Sequence, residues 1–198
     1  MNKIFVLLVM FLLCSCLKKE EQNFIYIAAR NSMSKEGDIV LKYNSFSQNI
    51  SHIGIALDQS TDSKVWNVSY DEKDSRGSSL LSETFSEFFT SPKKEDNQIW
   101  KIPVTKKEHK KIEKFLKETE KKKIHFDFDE STDNGYYCSE FVFNALQSSG
   151  NKKFEFSKKC APTTGIARAI IGAKELCYLP ADFFLTFHPE KINFSNQK

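Results

Sequence analysis

Tyr136-Tyr137-Cys138-Ser139-Glu140-Phe141-Val142 is the stretch on which the fold turns. Asp133-Asn134-Gly135 precedes it as turn chemistry. Phe141, Val142 and Ala145 follow Cys138 at i+3, i+4 and i+7, the spacing of one buried helix face. The pattern predicts a helix that starts at Cys138 and stops before Gly150. A thiol in the first turn of a helix meets unpaired backbone N–H groups and the positive end of the helix dipole, which favour a thiolate.

Such a nucleophile needs a base, and the chain has four histidines. His109 lies on a Lys/Glu-rich helix and His188 beside Pro189 near the end of the chain. His125, in the aromatic and acidic run His125-Phe126-Asp127-Phe128-Asp129, is the rival close to Cys138 in sequence. His52 lies in Ile50 to Leu57, which reads as a strand. There Ile53, Ile55 and Leu57 share one face, while His52 shares the other with Gly54 and Ala56. Small neighbours leave room for another element to approach the imidazole, which favours His52.

The other elements follow from patterning. Gly37-Asp38 reads as a turn feeding a short strand at Ile39-Val40-Leu41, and Val65 to Tyr70 as a strand after a polar loop. Ser82 can cap a short helix through Phe88-Phe89, closed by Pro92. Ile99 to Val104 reads as a strand, and Thr105 with Glu108 as a capping box for a helix whose apolar stripe is Ile112, Phe115 and Leu116. Leu176 to Leu179 and Phe183 to Phe187 look extended around Pro180-Ala181-Asp182.

The start of the chain reads as an address. Asn2-Lys3 is a basic lead, and Ile4 to Leu13 is an apolar run too short to span a bilayer, as in the h-region of a signal peptide. It ends in Leu13-Cys14-Ser15-Cys16, which resembles a bacterial lipobox with Cys16 as the lipidated residue; a plain signal peptide and an uncleaved anchor are the alternatives. The expected organisation is a signal peptide over residues 1–15, lipidated Cys16 and a tether over 16–30, one domain over 31–190 and a tail over 191–198. The protein is then an exported, membrane-anchored lipoprotein of a bacterial cell envelope. Cys160 and Cys177 would meet an oxidising compartment and could pair or stay as two buried thiols.

A net charge of +3, with lysines alternating with glutamates, gives no basic face and argues against nucleic acid as a partner. The 18 phenylalanines suit an aromatic core or an apolar groove. No Cys/His metal spacing and no glycine-rich phosphate loop is seen, so neither metal nor organic cofactor is expected.

Three blocks, Gly37-Asp38-Ile39-Val40-Leu41, Ser51-His52-Ile53-Gly54-Ile55-Ala56 and Tyr137-Cys138-Ser139-Glu140-Phe141-Val142, resemble in order the signatures of the YiiX/YaeF-type permuted papain-fold family. This is the circularly permuted branch of the NlpC-like cysteine peptidases and amidases. Lys123 to Phe128 and Tyr178-Leu179-Pro180-Ala181-Asp182-Phe183 echo further family segments. The resemblance implies an α+β, circularly permuted papain-like fold, with an antiparallel sheet packed against the helix that carries the nucleophilic Cys. It implies Cys138 as nucleophile, His52 as general base and Asn67, where the family more often has Glu, as the residue orienting the imidazole. Tyr137 is expected to line the substrate site, Ser139 to cap backbone, and Glu140 to be structural. The implied activity is a cysteine hydrolase of amidase or peptidase type acting on an amide- or ester-containing substrate. A lipid-directed acyltransferase or thioesterase on the same dyad, and a non-catalytic envelope binding module, are the competing functions.

Overall fold

A computed structural model describes residues 22–32, 35–60, 62–70, 72–89, 96–127, 135–165, 168–169, 172 and 174–193. The signal peptide, Cys16 and Pro92 lie outside these residues.

The frame is a six-stranded antiparallel sheet. In chain order its strands are β1 (Gln22–Arg30), β2 (His52–Ala56), β3 (Lys64–Val68), β4 (Leu80–Thr84), β5 (Gln98–Thr105) and, near the end of the chain, β10 (Glu190–Ile192). Their order across the sheet is β10-β5-β1-β2-β3-β4. Two minor pairs complete the strands among the described residues: β6 (His125–Phe126) with β7 (Gly135–Tyr136), and β8 (Lys159–Pro162) with β9 (Glu175–Tyr178). The helices are α1 (Lys35–Lys42), α2 (Phe85–Phe88), α3 (Lys106–Glu120) and α4 (Cys138–Gln147).

Alternation along the strands splits the core in two. One face of β1 and β2, carrying Ile25, Ile27, Ala29, Ile53 and Ile55, packs with Ile112 and Leu116 of α3 and Phe141, Val142 and Ala145 of α4. The other face, carrying Tyr26, Ala28 and Ala56, packs together with Val65 of β3 against Phe85 and Phe88 of α2. Each fully buried Phe or Ile contributes about 1.5–3 kcal/mol, so the larger face fixes α4, and with it Cys138, against β2 and β3. The α3 helix starts where its capping box predicts: Thr105 and Glu108 exchange side-chain-to-backbone hydrogen bonds.

Several expectations are corrected. Residues 22–30, expected in the tether, form β1, which lies inside the sheet between β5 and β2 and is buried from Ile25 to Arg30. A strand covered on both faces loses its alternation. Ile39-Val40-Leu41 belong to α1, not to a strand; a short apolar run does not distinguish the two. Ser82 lies inside β4, and α2 is capped by Thr84 in a capping box with Glu87. Phe183–Phe187 form a 3₁₀ turn in which Phe183 and Phe184 are fully buried. Before it, the buried Asp182 carboxylate accepts the backbone N–H groups of Ser45 and Phe46 at 2.8 and 2.7 Å, tying the end of the chain to the loop after α1. Cys160 and Cys177 face each other across β8 and β9 and are joined by a disulfide.

Candidate active site

His52 opens β2, and its ring lies on the α2 face of the sheet with Gly54 and Ala56. Its Nε2 is 2.9 Å from Oδ1 of Asn67 on β3. An amide oxygen only accepts, so Nε2 carries the proton and Nδ1 keeps its lone pair. The imidazole stacks on Phe88 of α2, centroids 5.5 Å apart at 23°. Arg30 is the cross-strand partner of His52. It sits over the same Phe88 ring and donates through Nη1 to the Phe88 carbonyl at 2.6 Å. Gly54 lets β3 come close to β2 here: a Cβ there would stand 2.6 Å from Val65 Cγ1, 3.0 Å from the Trp66 carbonyl oxygen and 3.1 Å from Asn67 Cβ. Asn67 also donates through Nδ2 to Oε2 of Glu83 on β4, at 2.7 Å.

Cys138 is the first residue of α4 and is buried, and among the described residues it is the free cysteine. Tyr137 provides no side-chain cap, so the first turn keeps N–H groups for the sulfur. The thiol lies against the backbone N–H groups of Ile53, Ser139 and Cys138 itself. It therefore meets β2 at the peptide unit that joins His52 to Ile53. His52 is not among the hydrogen-bond partners of the sulfur, because its ring turns to Asn67 and Phe88.

The electrostatics correct the expected thiolate. Burial pushes the Cys138 thiol above its ordinary pKa, although the three N–H groups and the Arg30 guanidinium pull it down. Burial, and then the charge of Arg30, lowers His52 from 6.5 to about 4, while Asn67 pulls the other way. Helix-end N–H groups favour a thiolate only when their pull exceeds desolvation, and here it does not. The resting pair at neutral pH is a neutral thiol and a neutral imidazole.

The other expected residues fall into place around this centre. Tyr137, expected to line the substrate site, is buried, and its hydroxyl accepts the Leu179 N–H at 2.8 Å. Ser139 caps no helix end; its hydroxyl donates to the Leu179 carbonyl at 2.7 Å. The two side chains pin the start of α4 to the segment after β9. Glu140 is buried in the same turn with Lys158 3.9 Å away, a structural placement. The rival base His125 is exposed on β6. His109 Nε2 lies 3.1 Å from the Leu57 carbonyl oxygen, on the far side of β2 from the ring of His52.

Sequence reasoning missed Arg30, Glu83 and Phe88. Arg30 was assigned to the tether, and the other two reach His52 only through the β3–β4 register and the short α2 helix. A sign of Arg30 was available: a cation ending an otherwise apolar run needs a partner when buried.

No protein-family model matches the chain, and no curated protein matches it. Among solved structures it is similar to the crystal structure of the metalloprotein YiiX from Escherichia coli O157:H7. The TM-score is 0.55, the identity 12%, and the likeness covers 86% of this chain and 96% of that one. The likeness shows a shared fold, and at that level the YiiX-type resemblance holds.

Proposed function

We propose that this protein is a cysteine hydrolase of amidase or peptidase type, on a permuted papain-like fold, with Cys138 as nucleophile, His52 as general base and Asn67 orienting the base. One observation carries the reading: the His52–Ile53 peptide unit holds the Cys138 thiol on its N–H while Asn67 fixes the imidazole with Nδ1 free. Thiol acyl transfer needs a nucleophile, a base and a group that orients the base, and Cys138, His52 and Asn67 are groups of those three kinds.

In the proposed reaction the substrate carbonyl enters at the start of α4, and the S–H proton passes to His52 Nδ1 as sulfur bonds to the carbonyl carbon. The thiol and Nδ1 are not hydrogen-bonded at rest, so this step requires them to meet in the substrate complex. Backbone N–H groups at Cys138 and Ser139 stabilise the oxyanion. His52 returns its proton to the leaving nitrogen or oxygen as that bond breaks, leaving a thioester on Cys138. Water, deprotonated by Nδ1, then attacks the thioester, and the thiol recovers its proton as the acid departs.

YiiX is described as a metalloprotein. Here the described residues contain no group of three or more His, Cys, Asp or Glu side chains placed to hold an ion. His52 Nε2 is committed to Asn67. Among the described residues the donor set does not fit a resident metal, and no step is routed through one.

The proposed setting is the cell envelope, with Cys16 lipidated. The lipobox-like Leu13-Cys14-Ser15-Cys16 and the Cys160–Cys177 disulfide support it, the second because disulfides persist in oxidising compartments. No helix among the described residues is long and apolar enough to cross a membrane.

An electrophilic acyl probe applied to the protein, to Cys138→Ala and to His52→Ala tests the mechanism. Labelling should vanish without Cys138 and slow by about 100-fold or more without His52. Labelling that persists without Cys138 would remove the mechanism. Peptidoglycan fragments screened against N-acyl amines and lipid esters then separate hydrolase from lipid-directed acyltransferase.

A further inference from the structure

Glu83 makes the second of two bonds held by the Asn67 amide. Asn67 Oδ1 faces His52 Nε2 at 2.9 Å, and Nδ2 faces Glu83 Oε2 at 2.7 Å. An amide group is nearly symmetric in shape, so its orientation is set by its partners. An imidazole does not set it, because Nε2 can donate or accept. An ionised carboxylate only accepts, and it forces Nδ2 toward itself. Once Nδ2 points to Glu83, Oδ1 must point to His52, Nε2 must carry the proton, and Nδ1 must be the free base.

We infer that Glu83 is a positioning residue that selects, through Asn67, the base-competent tautomer of His52. A chain Glu83–Asn67–His52 runs across β4, β3 and β2, so the carboxylate that is absent at position 67 acts from the next strand. The inference deepens the proposed hydrolase reading and rests on it for its purpose, although the tautomer is a property of the resting protein. Protonating Glu83 would allow the reverse chain, in which its O–H donates to Asn67, Nδ2 donates to His52, and the proton moves to Nδ1. The charged groups that act on Glu83 are Arg30 from β1, Glu72 from the loop after β3, and Glu87 from α2. Burial and the two glutamates raise its pKa, while Asn67 and Arg30 lower it.

The fold supports such a chain. Val65 pairs with Glu83 and Asn67 with Leu81 in the β3–β4 register, so Asn67 and Glu83 lie diagonally on one face, on neighbouring strands. Asn67 is fully buried, and so must keep its hydrogen bonds.

The test is nitrogen-15 NMR of the imidazoles in the full chain, with the His52 signal assigned by its loss in His52→Gln. The wild type should show His52 as a single Nε2–H tautomer at neutral pH. In Glu83→Gln, whose amide can donate or accept, both chains become available, and the two tautomers should appear in comparable amounts. Placing a carboxylate next to His52 should bypass the chain: Asn67→Asp combined with Glu83→Gln should restore the single Nε2–H form. A merely structural role for Glu83 would lower stability without moving the tautomer or being rescued in this way.

A single Nε2–H signal retained in folded Glu83→Gln, or an Nδ1–H tautomer in the wild type, would overturn the inference. If Glu83→Gln does not fold, Glu83→Ala takes its place: with no acceptor left for Asn67 Nδ2 the Nδ1–H tautomer should appear, and a single Nε2–H signal there would overturn the inference. If the tautomer behaves as expected while Cys138 takes no acyl group, the hydrolase reading fails and the Glu83 chain stands.

Discussion

Replacing Gly54 with alanine tests the packing that brings His52 and Asn67 together. The added Cβ meets Val65 Cγ1 at 2.6 Å, about 1 Å inside an ordinary carbon–carbon contact. It meets the Trp66 carbonyl oxygen at 3.0 Å and Asn67 Cβ at 3.1 Å. Val65 is fully buried and the second neighbour is backbone, so little can yield except the spacing of β2 and β3. Overpacking of this kind costs about 1–3 kcal/mol, and the backbone contact places this case toward the upper end. In a chain of this length that lowers Tm by roughly 4–10 °C. Asn67 must also shift by a few tenths of an ångström, enough to lengthen its 2.9 Å bond to His52. Thermal melts and the rate of Cys138 acylation read the two effects separately. Adding Val65→Ala removes the worst contact, and should restore part of the stability with a non-additive coupling. It leaves the Asn67 contact, so acylation should stay slow. A Gly54→Ala protein with unchanged Tm and acylation rate would refute the reasoning.

Arg30→Met removes the charge that opposes protonation of His52, so the His52 midpoint should rise from about 4, and the acid limb of acylation should move to higher pH. An unchanged limb would show that Arg30 does not act on His52. Titrating stability should expose the same group. The folded pKa of His52 lies below the unfolded value, so its contribution is full above about pH 6.5 and is lost as pH falls through 4. The shift corresponds to about 3 kcal/mol, and the part of the pH dependence of chemical denaturation that disappears in His52→Gln should match it in sign. Alkylation of the denatured, unreduced protein followed by peptide mass spectrometry should modify Cys138 and spare Cys160 and Cys177.

Much of the site was legible because it depends on local pattern. The alternation of Ile50 to Leu57 put His52, Gly54 and Ala56 on one face, and the α2 side of the sheet carries them. The i+3, i+4 and i+7 spacing after Cys138 found α4 and its buried face. What escaped was non-local. The strand β1 opens with polar residues and then runs apolar on both faces, so it resembled the end of a tether more than the interior of a sheet. Glu83 lies 16 residues from Asn67, and only the β3–β4 register joins them. The charge state of Cys138 depended on the balance between desolvation and N–H donation, which needs the packed structure around the helix end.

The central claim is that Cys138 forms an acyl-enzyme with His52 as its base. Pre-steady-state acylation by an activated ester, followed by intact-protein mass spectrometry from below the His52 midpoint to neutral pH, tests it most directly. The account predicts one acyl group on Cys138, a rate that rises with pH through about 4, and a loss of about 100-fold or more in His52→Ala. An acyl group on another residue, or the same rate in His52→Ala, would contradict it.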